Sequence, residues 1–229
     1  MTKDQIRHAA TVIVIRDPAD SPKVLMGQRG AKAAFMPSKF VFPGGAVDAE
    51  DARIPLATNL REECSDRLSQ QAFGASPTAL AVAAVRELWE ETGQILGQPG
   101  TWPDAPSDWN GFAKEGYLPA AEPLHFVFRA ITPPGRPRRF DARFFLCDAN
   151  DLASDPDDFS SAADELSHLQ WIPLEQVRRF DLPFITAVVL SEIAAALPRI
   201  EAPRTVPFFN NKEEEALFAR LGGQSPLAV

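Results

Sequence analysis

The chain has 229 residues, of which 45% are apolar and 24% are charged. This composition is that of an ordinary folded domain, and it excludes a disordered tail protein or a fibrous repeat. The net charge is −8, from 23 Lys and Arg against 31 Asp and Glu. A general nucleic-acid binder or a protein of anionic membrane surfaces is expected to carry the opposite balance. We therefore expect neither nucleic acid nor a membrane as a partner.

The cysteines and the hydrophobic segments indicate the compartment. Cys64 and Cys147 are too few for a disulfide framework and have no metal-ligand spacing. The N-terminal residues lack the apolar stretch of a signal peptide. The longest apolar segment, residues 183–198, is interrupted by Ser191 and Glu192 and is too short to span a bilayer. These features predict a soluble, cytoplasmic protein.

The predicted elements begin with strands that lead to a glycine loop. Residues 10–15 form a β-branched run, which is typical of a strand buried on both faces. Residues 23–29 follow a turn and are predicted as a second strand. A third strand over residues 40–42 runs into the tight loop Pro43-Gly44-Gly45. The first part of the chain therefore predicts a sheet with a glycine loop at the end of one strand.

Two helices are predicted next. Over residues 56–71, apolar side chains recur at every fourth position, which indicates one narrow buried stripe. A second helix is predicted over residues 79–92, with Thr78 as its N-cap and Gly93 as its stop signal.

The rest of the chain is predicted to alternate between strands and short helices. A short helix is expected before Gly116, and a Pro-rich loop joins two long apolar strands. The predicted elements are strands over 124–131, 140–147 and 169–172, a short helix beginning at 173–177 and a longer helix over 183–197. No linker divides the chain, so we predict one α/β domain with three or four helices.

Three glutamates at the end of the second helix break two local rules. Glu87, Glu90 and Glu91 stand at i, i+3 and i+4, so their carboxylates share one face and repel each other. Two of them also lie in the last turn before Gly93, where the helix dipole disfavours anions. Such a cluster is either a solvated surface group or a functional site.

A divalent cation would turn the repelling carboxylates into ligands. Oxygen donors without a nearby His or Cys favour Mg²⁺ or Mn²⁺ over zinc. A carboxylate-bound Mg²⁺ commonly completes its shell with water and phosphate oxygens. The functional interpretation is therefore phosphoryl chemistry, with the ion as Lewis acid and water as the nucleophile.

Two segments of the chain resemble the two halves of the Nudix box, the signature of the Nudix hydrolases. Residues 86–93, Arg-Glu-Leu-Trp-Glu-Glu-Thr-Gly, are similar to its second half, and residues 42–51 to its first. Counting from Gly45 puts the acidic position of the first half at Asp51, with Glu50 beside it. The 34 residues between Asp51 and Arg86 exceed the family spacing of seven by 27, and Gln94 stands where the family has an apolar residue.

The resemblance implies a fold and an activity. The fold is an α/β Nudix-type α/β/α sandwich with a mixed β-sheet, and residues 1–229 form a single domain with an inserted helical segment at about 52–78. The activity is metal-dependent cleavage of the P–O–P bridge of a nucleoside diphosphate linked to another moiety. An insertion inside the box, together with residues 27–45 and 138–145, resembles the coenzyme A diphosphatase branch and favours coenzyme A or acyl-CoA.

Other functions stay open beside this one. ADP-ribose, NADH and dinucleoside polyphosphates are alternative substrates within the same chemistry. A Nudix-fold regulator that binds nucleotides without turnover is a second alternative. A third is an unrelated α/β domain whose acidic helix is only surface. A homodimer is also left open.

The resemblance also suggests roles for individual residues. Glu87, Glu90 and Glu91 would hold Mg²⁺ or Mn²⁺, joined by a backbone carbonyl of Gly44. Arg86 would hold the glutamates in place through charge-assisted hydrogen bonds, unless it forms only an ordinary helix ion pair.

The proton acceptor and the substrate contacts lie outside the box. Glu165, with Asp164 beside it, is the candidate general base, so that Glu90, Arg86 and Glu165 form the predicted catalytic set. Guanidinium groups bind phosphates in a bidentate manner, which makes arginines the candidate substrate contacts. These candidates are Arg29, Arg139 and Arg143, with Arg139 and Arg143 on one face of a strand and Arg138 on the other.

Overall fold

The computed structural model describes residues 5–210 and 217–221. The strands are β1 Ile6–Arg16, β2 Lys23–Arg29, β3 Phe40–Val41, β4 Gly44–Ala46, β5 Gly97–Pro99, β6 Tyr117–Pro119, β7 His125–Ile131, β8 Arg139–Asp148, β9 Leu166–Pro173, β10 Val206–Asn210 and β11 Leu217–Leu221. The α-helices are α1 Glu62–Ser69, α2 Pro77–Thr92, α3 Asn110–Lys114 and α4 Phe184–Ala196, and short 3₁₀ turns cover Asp51–Arg53, Ser107–Trp109, Ala149–Asp151 and Val177–Arg179.

A mixed β-sheet forms the centre of the fold. Its strand order is β11-β10-β7-β8-β1-β2-β3, with β4 also paired to β1 and β9 to β2. The pairs β1–β8 and β7–β10 are parallel, whereas the other pairs are antiparallel. Strands β5 and β6 form a separate two-stranded sheet. The predicted mixed sheet is therefore confirmed.

Helices cover both faces of this sheet. Ala10, Val12 and Val14 of β1 face one apolar cluster with α1 and α2. Ile13 and Ile15 of the same strand face the second cluster, which includes α4. Because β1 is buried on both faces, its sequence is a continuous apolar run rather than an alternating one. The arrangement is the predicted α/β/α sandwich.

Helix α2 begins two residues earlier than predicted. Its N-cap is Ser76, whose hydroxyl oxygen accepts a hydrogen bond from the Ala79 amide at 3.4 Å, so the predicted cap at Thr78 is wrong. Pro77 takes the first helical position, where its missing N–H costs nothing. The helix ends at Gly93, whose left-handed φ of 73° suits a C-cap glycine.

The inserted segment contains a shorter helix than the stripe predicted over 56–71. Thr58 instead lies in extended backbone, where its carbonyl accepts a hydrogen bond from the Ala121 amide at 2.9 Å. Helix α1 buries Cys64 and Leu68 and packs against α2 and β7. Since β8 separates β7 from β1, this helix covers the sheet beside α2, two strands away from the Gly44-Gly45 loop.

The remaining predictions mostly agree with the structure. The strands predicted over 124–131, 140–147 and 169–172 are β7, β8 and β9, and α3 is the short helix expected before Gly116. Strands β4, β5, β6, β10 and β11 were not predicted, because three to five residues are too few for a clear alternation. Within the described residues, no helix combines the length and the apolar character needed to cross a membrane.

Candidate active site

The last turns of α2 meet the glycine loop at the start of β4. Glu91 is 1% exposed, and its Oε2 accepts a hydrogen bond from the Gly44 amide at 2.7 Å. The carboxylate of Glu87 lies so close to Gly45 that a Cβ atom there would overlap Glu87 Oε1. Only glycine permits this approach. Because Glu87 and Glu91 are buried, their interpretation as solvated surface residues is wrong.

Arg86 connects the glutamates to the first half of the box. Its Nη1 donates to Glu87 Oε1 at 2.9 Å and to Glu90 Oε2 at 3.0 Å. Its Nε and Nη2 donate to the two carboxylate oxygens of Asp51 at 3.0 and 3.2 Å. Asp51 is 2% exposed, whereas Glu50 is exposed and pairs with Arg53. The structure therefore assigns the acidic position of the first half to Asp51, despite the 34 intervening residues.

Burial controls the ionisation of this cluster. It raises the pKa of Glu87 to about 7, although the neighbouring Arg86 charge acts in the opposite direction. Burial raises the pKa of Glu91 well above its ordinary value and also raises the pKa of Glu90. Burial alone would lower the pKa of Arg86, but Asp51 and the glutamates raise it. Such a cluster binds a proton or a cation readily, as functional carboxylates often do.

Two predicted residues, Arg29 of β2 and Glu165 directly before β9, also lie near the cluster. Arg29 Nη1 is 3.8 Å from Glu91 Oε1. Among the described residues, neither this oxygen nor Arg29 Nε has a hydrogen-bond partner, although both atoms are buried. Arg29 pairs with Leu166 across the two strands, and Glu165 precedes Leu166. Besides burial, the charge of Glu165 contributes to the raised pKa of Glu87 and of Glu91, which indicates that Glu165 lies near these two carboxylates.

The chain resembles known proteins in both sequence and structure. A Caenorhabditis elegans protein named "Putative nudix hydrolase 7" is 32% identical over 179 residues, which are 72% of this chain and 51% of that protein. The crystal structure of a NUDIX hydrolase from Alicyclobacillus acidocaldarius matches 83% of this chain and 92% of that chain, with a TM-score of 0.59 and 29% identity. The chain belongs to the Nudix hydrolase family.

The curated relatives also include a protein with a named substrate. The human acyl-coenzyme A diphosphatase NUDT19 is 29% identical over 182 residues, which are 57% of this chain and 48% of that protein. This Nudix chain spans about half the length of the curated relatives it matches. No protein-family model matches it.

The structure does not bring Arg143 to the Nudix site. Arg143 is 0% exposed and pairs with Asp141 at 2.9 Å, and its Nη2 donates to the carbonyl of Ala72 at 3.2 Å. Arg129 donates two hydrogen bonds to the same aspartate, so the three side chains form one buried network. A phosphate at the surface cannot reach this guanidinium. The expectation that Arg143 contacts substrate is therefore corrected to a structural role.

Arg139 also lies away from the glutamates. Its Nε donates to the carbonyl of Thr132 at 3.1 Å, and its backbone pairs with Ile6 at the start of β1. Thr11, which pairs with Gly44, is five residues further along that strand, or about 17 Å. The structure therefore groups Arg29 with the glutamates but not Arg139.

The donor set of the cluster fits a hard divalent cation. Three carboxylates supply only oxygen, and one buried oxygen, Glu91 Oε1, has no hydrogen-bond partner within residues 5–210 and 217–221. As the side chains stand, the described part of the chain contains no group of three or more His, Cys, Asp or Glu arranged to hold an ion. Glu87 and Glu90 turn to Arg86, and Glu91 turns to Gly44. The carbonyl of Gly44 as a further ligand stays a prediction.

The sequence predicted Glu165 as the general base but not how the loop that carries it is attached to the site. The Ala163 amide donates to the carbonyl of Glu90 at 2.8 Å, which places this loop on the end of α2. Besides burial, the charge of Asp108, from the 3₁₀ turn before α3, contributes to the raised pKa of Glu90. Neither contact had a signal in the sequence, because each joins segments that are far apart in the chain.

Proposed function

We propose that this Nudix protein is a metal-dependent pyrophosphohydrolase. It cleaves the P–O–P bridge of a nucleoside diphosphate linked to another moiety and releases two monophosphates. The observation that carries this proposal is the buried carboxylate cluster, in which the free oxygen of Glu91 lies beside Arg29. Burying carboxylates without enough cationic partners destabilises the folded protein, so their presence supports a functional role that uses their charge.

Coenzyme A or an acyl-CoA is the proposed substrate. The support for this choice is the similarity to the acyl-coenzyme A diphosphatases NUDT19 of Homo sapiens and Gallus gallus, at 29% and 26% identity. Cleavage would give 3′,5′-ADP and phosphopantetheine or its acyl form. Because the similarity covers only part of those proteins, the substrate needs a direct assay.

The glutamates of α2 would bind the cation. Glu87, Glu90 and Glu91 would be its side-chain ligands, and the Gly44 carbonyl a further one. When bound, Mg²⁺ or Mn²⁺ supplies Lewis-acid stabilisation of phosphate charge and lowers the pKa of water. Arg86 orients Glu87 and Glu90 while Asp51 holds its guanidinium from the opposite side. This arrangement keeps the carboxylates in position before substrate arrives.

Arg29 and Glu165 would act on the substrate and on the attacking water. The Arg29 guanidinium, whose Nε has no hydrogen-bond partner in the part of the chain that the structure describes, would bind a phosphate oxygen and neutralise part of its charge. Glu165 is exposed and directly precedes Leu166, the strand partner of Arg29, so it would accept the proton of a water molecule that attacks phosphorus. The electron pair of the broken P–O bond then leaves with the released monophosphate.

A small substrate panel tests the proposal. It contains coenzyme A, acetyl-CoA, ADP-ribose, NADH and diadenosine tetraphosphate, each with Mg²⁺ or Mn²⁺ and with EDTA. Glu91→Gln is the inactive variant, and Glu62→Gln is its matched control because Glu62 is an exposed glutamate of α1. Cleavage of a CoA species that is lost with EDTA and in Glu91→Gln, but kept in Glu62→Gln, is the expected result.

The other outcomes distinguish the alternatives. Cleavage of another member of the panel would keep the chemistry and reject CoA as the substrate. Binding of a panel nucleotide without turnover would favour the regulator that does not catalyse. The cytoplasmic location, the homodimer and the single domain with an insertion at about 52–78 stay predictions that this assay does not address.

A further inference from the structure

Gln94 is the residue at which the chain departs from the family pattern, and its side chain is completely buried. It stands directly after Gly93, where the family has an apolar residue, and its exposure is 0%. Burying a primary amide is unfavourable unless its donors and acceptor are satisfied. A buried polar residue in an apolar position therefore indicates a specific set of partners.

Those partners all lie in one loop, residues 153–165, between the end of β8 and the start of β9. Gln94 Nε2 donates to the carbonyls of Asp155 and Asp158 at 3.2 and 2.8 Å. Gln94 Oε1 accepts a hydrogen bond from the hydroxyl of Ser154 at 2.9 Å. The same hydroxyl oxygen accepts the Ile95 amide at 3.0 Å. The Gln94 side-chain amide thus uses both of its N–H donors and one of the two lone pairs of its oxygen.

Backbone contacts hold the two ends of this loop against α2. The Ala153 amide donates to the carbonyl of Ile95, and the Ala163 amide donates to the carbonyl of Glu90, each at 2.8 Å. Gly93 touches the loop closely, because a Cβ there would lie 3.2 Å from the Cβ of Ser161. Gln94 bonds the middle of the loop, between these two ends. The loop is thus attached to the helix that carries the glutamates.

We propose that Gln94 is a positioning residue for Glu165. Its amide fixes the loop to the end of α2, and the loop then delivers Glu165 to the carboxylate cluster next to Arg29. This inference rests on the proposed function, in which Glu165 is the general base. An apolar side chain at this position could fill the volume but could not donate to the two carbonyls. The hydrogen bonds of the amide therefore specify a single position of the loop, whereas a hydrophobic contact would allow several positions.

Two substitutions separate the role of the amide from that of its volume. Gln94→Leu keeps the approximate size and removes all three hydrogen bonds. Gln94→Glu keeps the acceptor for Ser154 but places a carboxylate oxygen against two carbonyls. Both variants are expected to lower kcat about tenfold with KM changed less than twofold, since small displacements of a catalytic group reduce turnover strongly. Ile193→Ala, which truncates a buried side chain of α4, is the control for general destabilisation.

A double variant tests whether Gln94 acts through Glu165. In a Glu165→Gln background, Gln94→Leu is expected to change kcat less than twofold, because the group that it positions is already removed. The same tenfold loss in both backgrounds would overturn the proposal. If Glu165→Gln alone leaves kcat unchanged, the base assignment and this proposal both fail, while the metal-dependent hydrolysis still stands.

Amide hydrogen exchange gives a measurement that needs no turnover. Gln94→Leu is expected to increase exchange at the Ala153 and Ala163 amides while leaving the amides of β1 unchanged. Unchanged exchange at both positions would overturn the proposal, whatever the activity. If Gln94→Leu does not fold, Ser154→Ala removes the hydroxyl that bridges Gln94 and Ile95 and is subjected to the same measurements.

Discussion

The buried ion pair between Asp51 and Arg86 predicts that substitutions of two adjacent acids, Asp51 and Glu50, lower the stability of the protein to different extents. Asp51→Asn keeps the size of the side chain and removes the charge that faces the guanidinium. Glu50→Gln makes the same chemical change one residue earlier, in a pair with Arg53 whose side chains are 70% and 75% exposed. Because the two positions are adjacent in sequence, the difference between the variants reports tertiary contact rather than local helix or turn propensity.

The structure provides the expected magnitudes. Asp51 accepts two hydrogen bonds from Arg86 and a third from the Asp48 amide at 2.8 Å. Removing one partner of a buried ion pair costs about 3–5 kcal/mol, and the lower end applies because Arg86 keeps Glu87 and Glu90. We expect Asp51→Asn to lower the free energy of unfolding by about 3 kcal/mol. Glu50→Gln should lower it by about 0.3 kcal/mol, the usual value of an exposed pair.

Urea unfolding of the metal-free protein measures both values. The expected loss for Asp51→Asn corresponds to a decrease of about 6–12 °C in Tm for a domain of this size. The slope of the free energy against urea should stay constant, since the native surface is unchanged. A loss below about 1 kcal/mol, or equal losses for the two variants, would refute the assignment of Asp51 as the buried partner.

Three further predictions follow from the same contacts. Gly45→Ala should reduce turnover more than it reduces thermal stability, because the added Cβ displaces only the flexible end of Glu87. Kinetics and thermal unfolding measure the two effects. Equal proportional losses of turnover and of stability would contradict this prediction. Since burial raises the pKa of Glu87 to about 7, the folded metal-free protein holds a proton that the unfolded chain releases near pH 4.5. Its stability should therefore decrease as the pH rises from about 4.5 to 7. Thermal unfolding with EDTA should show a smaller decrease for Glu87→Gln. Asp141→Asn should cost about 3–5 kcal/mol in urea, because Arg129 and Arg143 stay buried without their shared carboxylate; a loss near zero would contradict the network.

Much of the fold could be predicted because its causes are local. The β-branched run of β1 and the apolar runs of β7 and β8 identify buried strands without knowledge of their partners. Gly93 ends α2 as predicted, because its left-handed conformation depends only on the glycine and the preceding turn. The spacing of Glu87, Glu90 and Glu91 puts them on one face for the same reason. Periodicity cannot identify short strands such as β4, whose positions depend on the neighbouring β1.

Several predictions that failed or stayed open depended on contacts between distant segments. Arg143 has the residue type of a phosphate ligand, yet the sheet places it beside Asp141 and under the loop that follows α1. Helix α1 of the inserted segment packs against α2 and against β7, which is distant from it in the chain. Neither the burial of Arg143 nor the position of the inserted segment can be predicted from a local sequence pattern, because the strand order decides which parts of the sheet are covered.

The sequence by itself determined the α/β class, the presence of the long strands and the presence of an acidic cluster at a helix end. The tertiary structure decided which groups meet that cluster. It brought Asp51 to Arg86, the Gly44-Gly45 loop to the glutamates, and Glu165 with Arg29 to one edge. The physical reason is that helix and strand geometry repeats over a few residues, whereas a site assembled from α2, β2, β4 and β9 requires the pairing of the whole sheet.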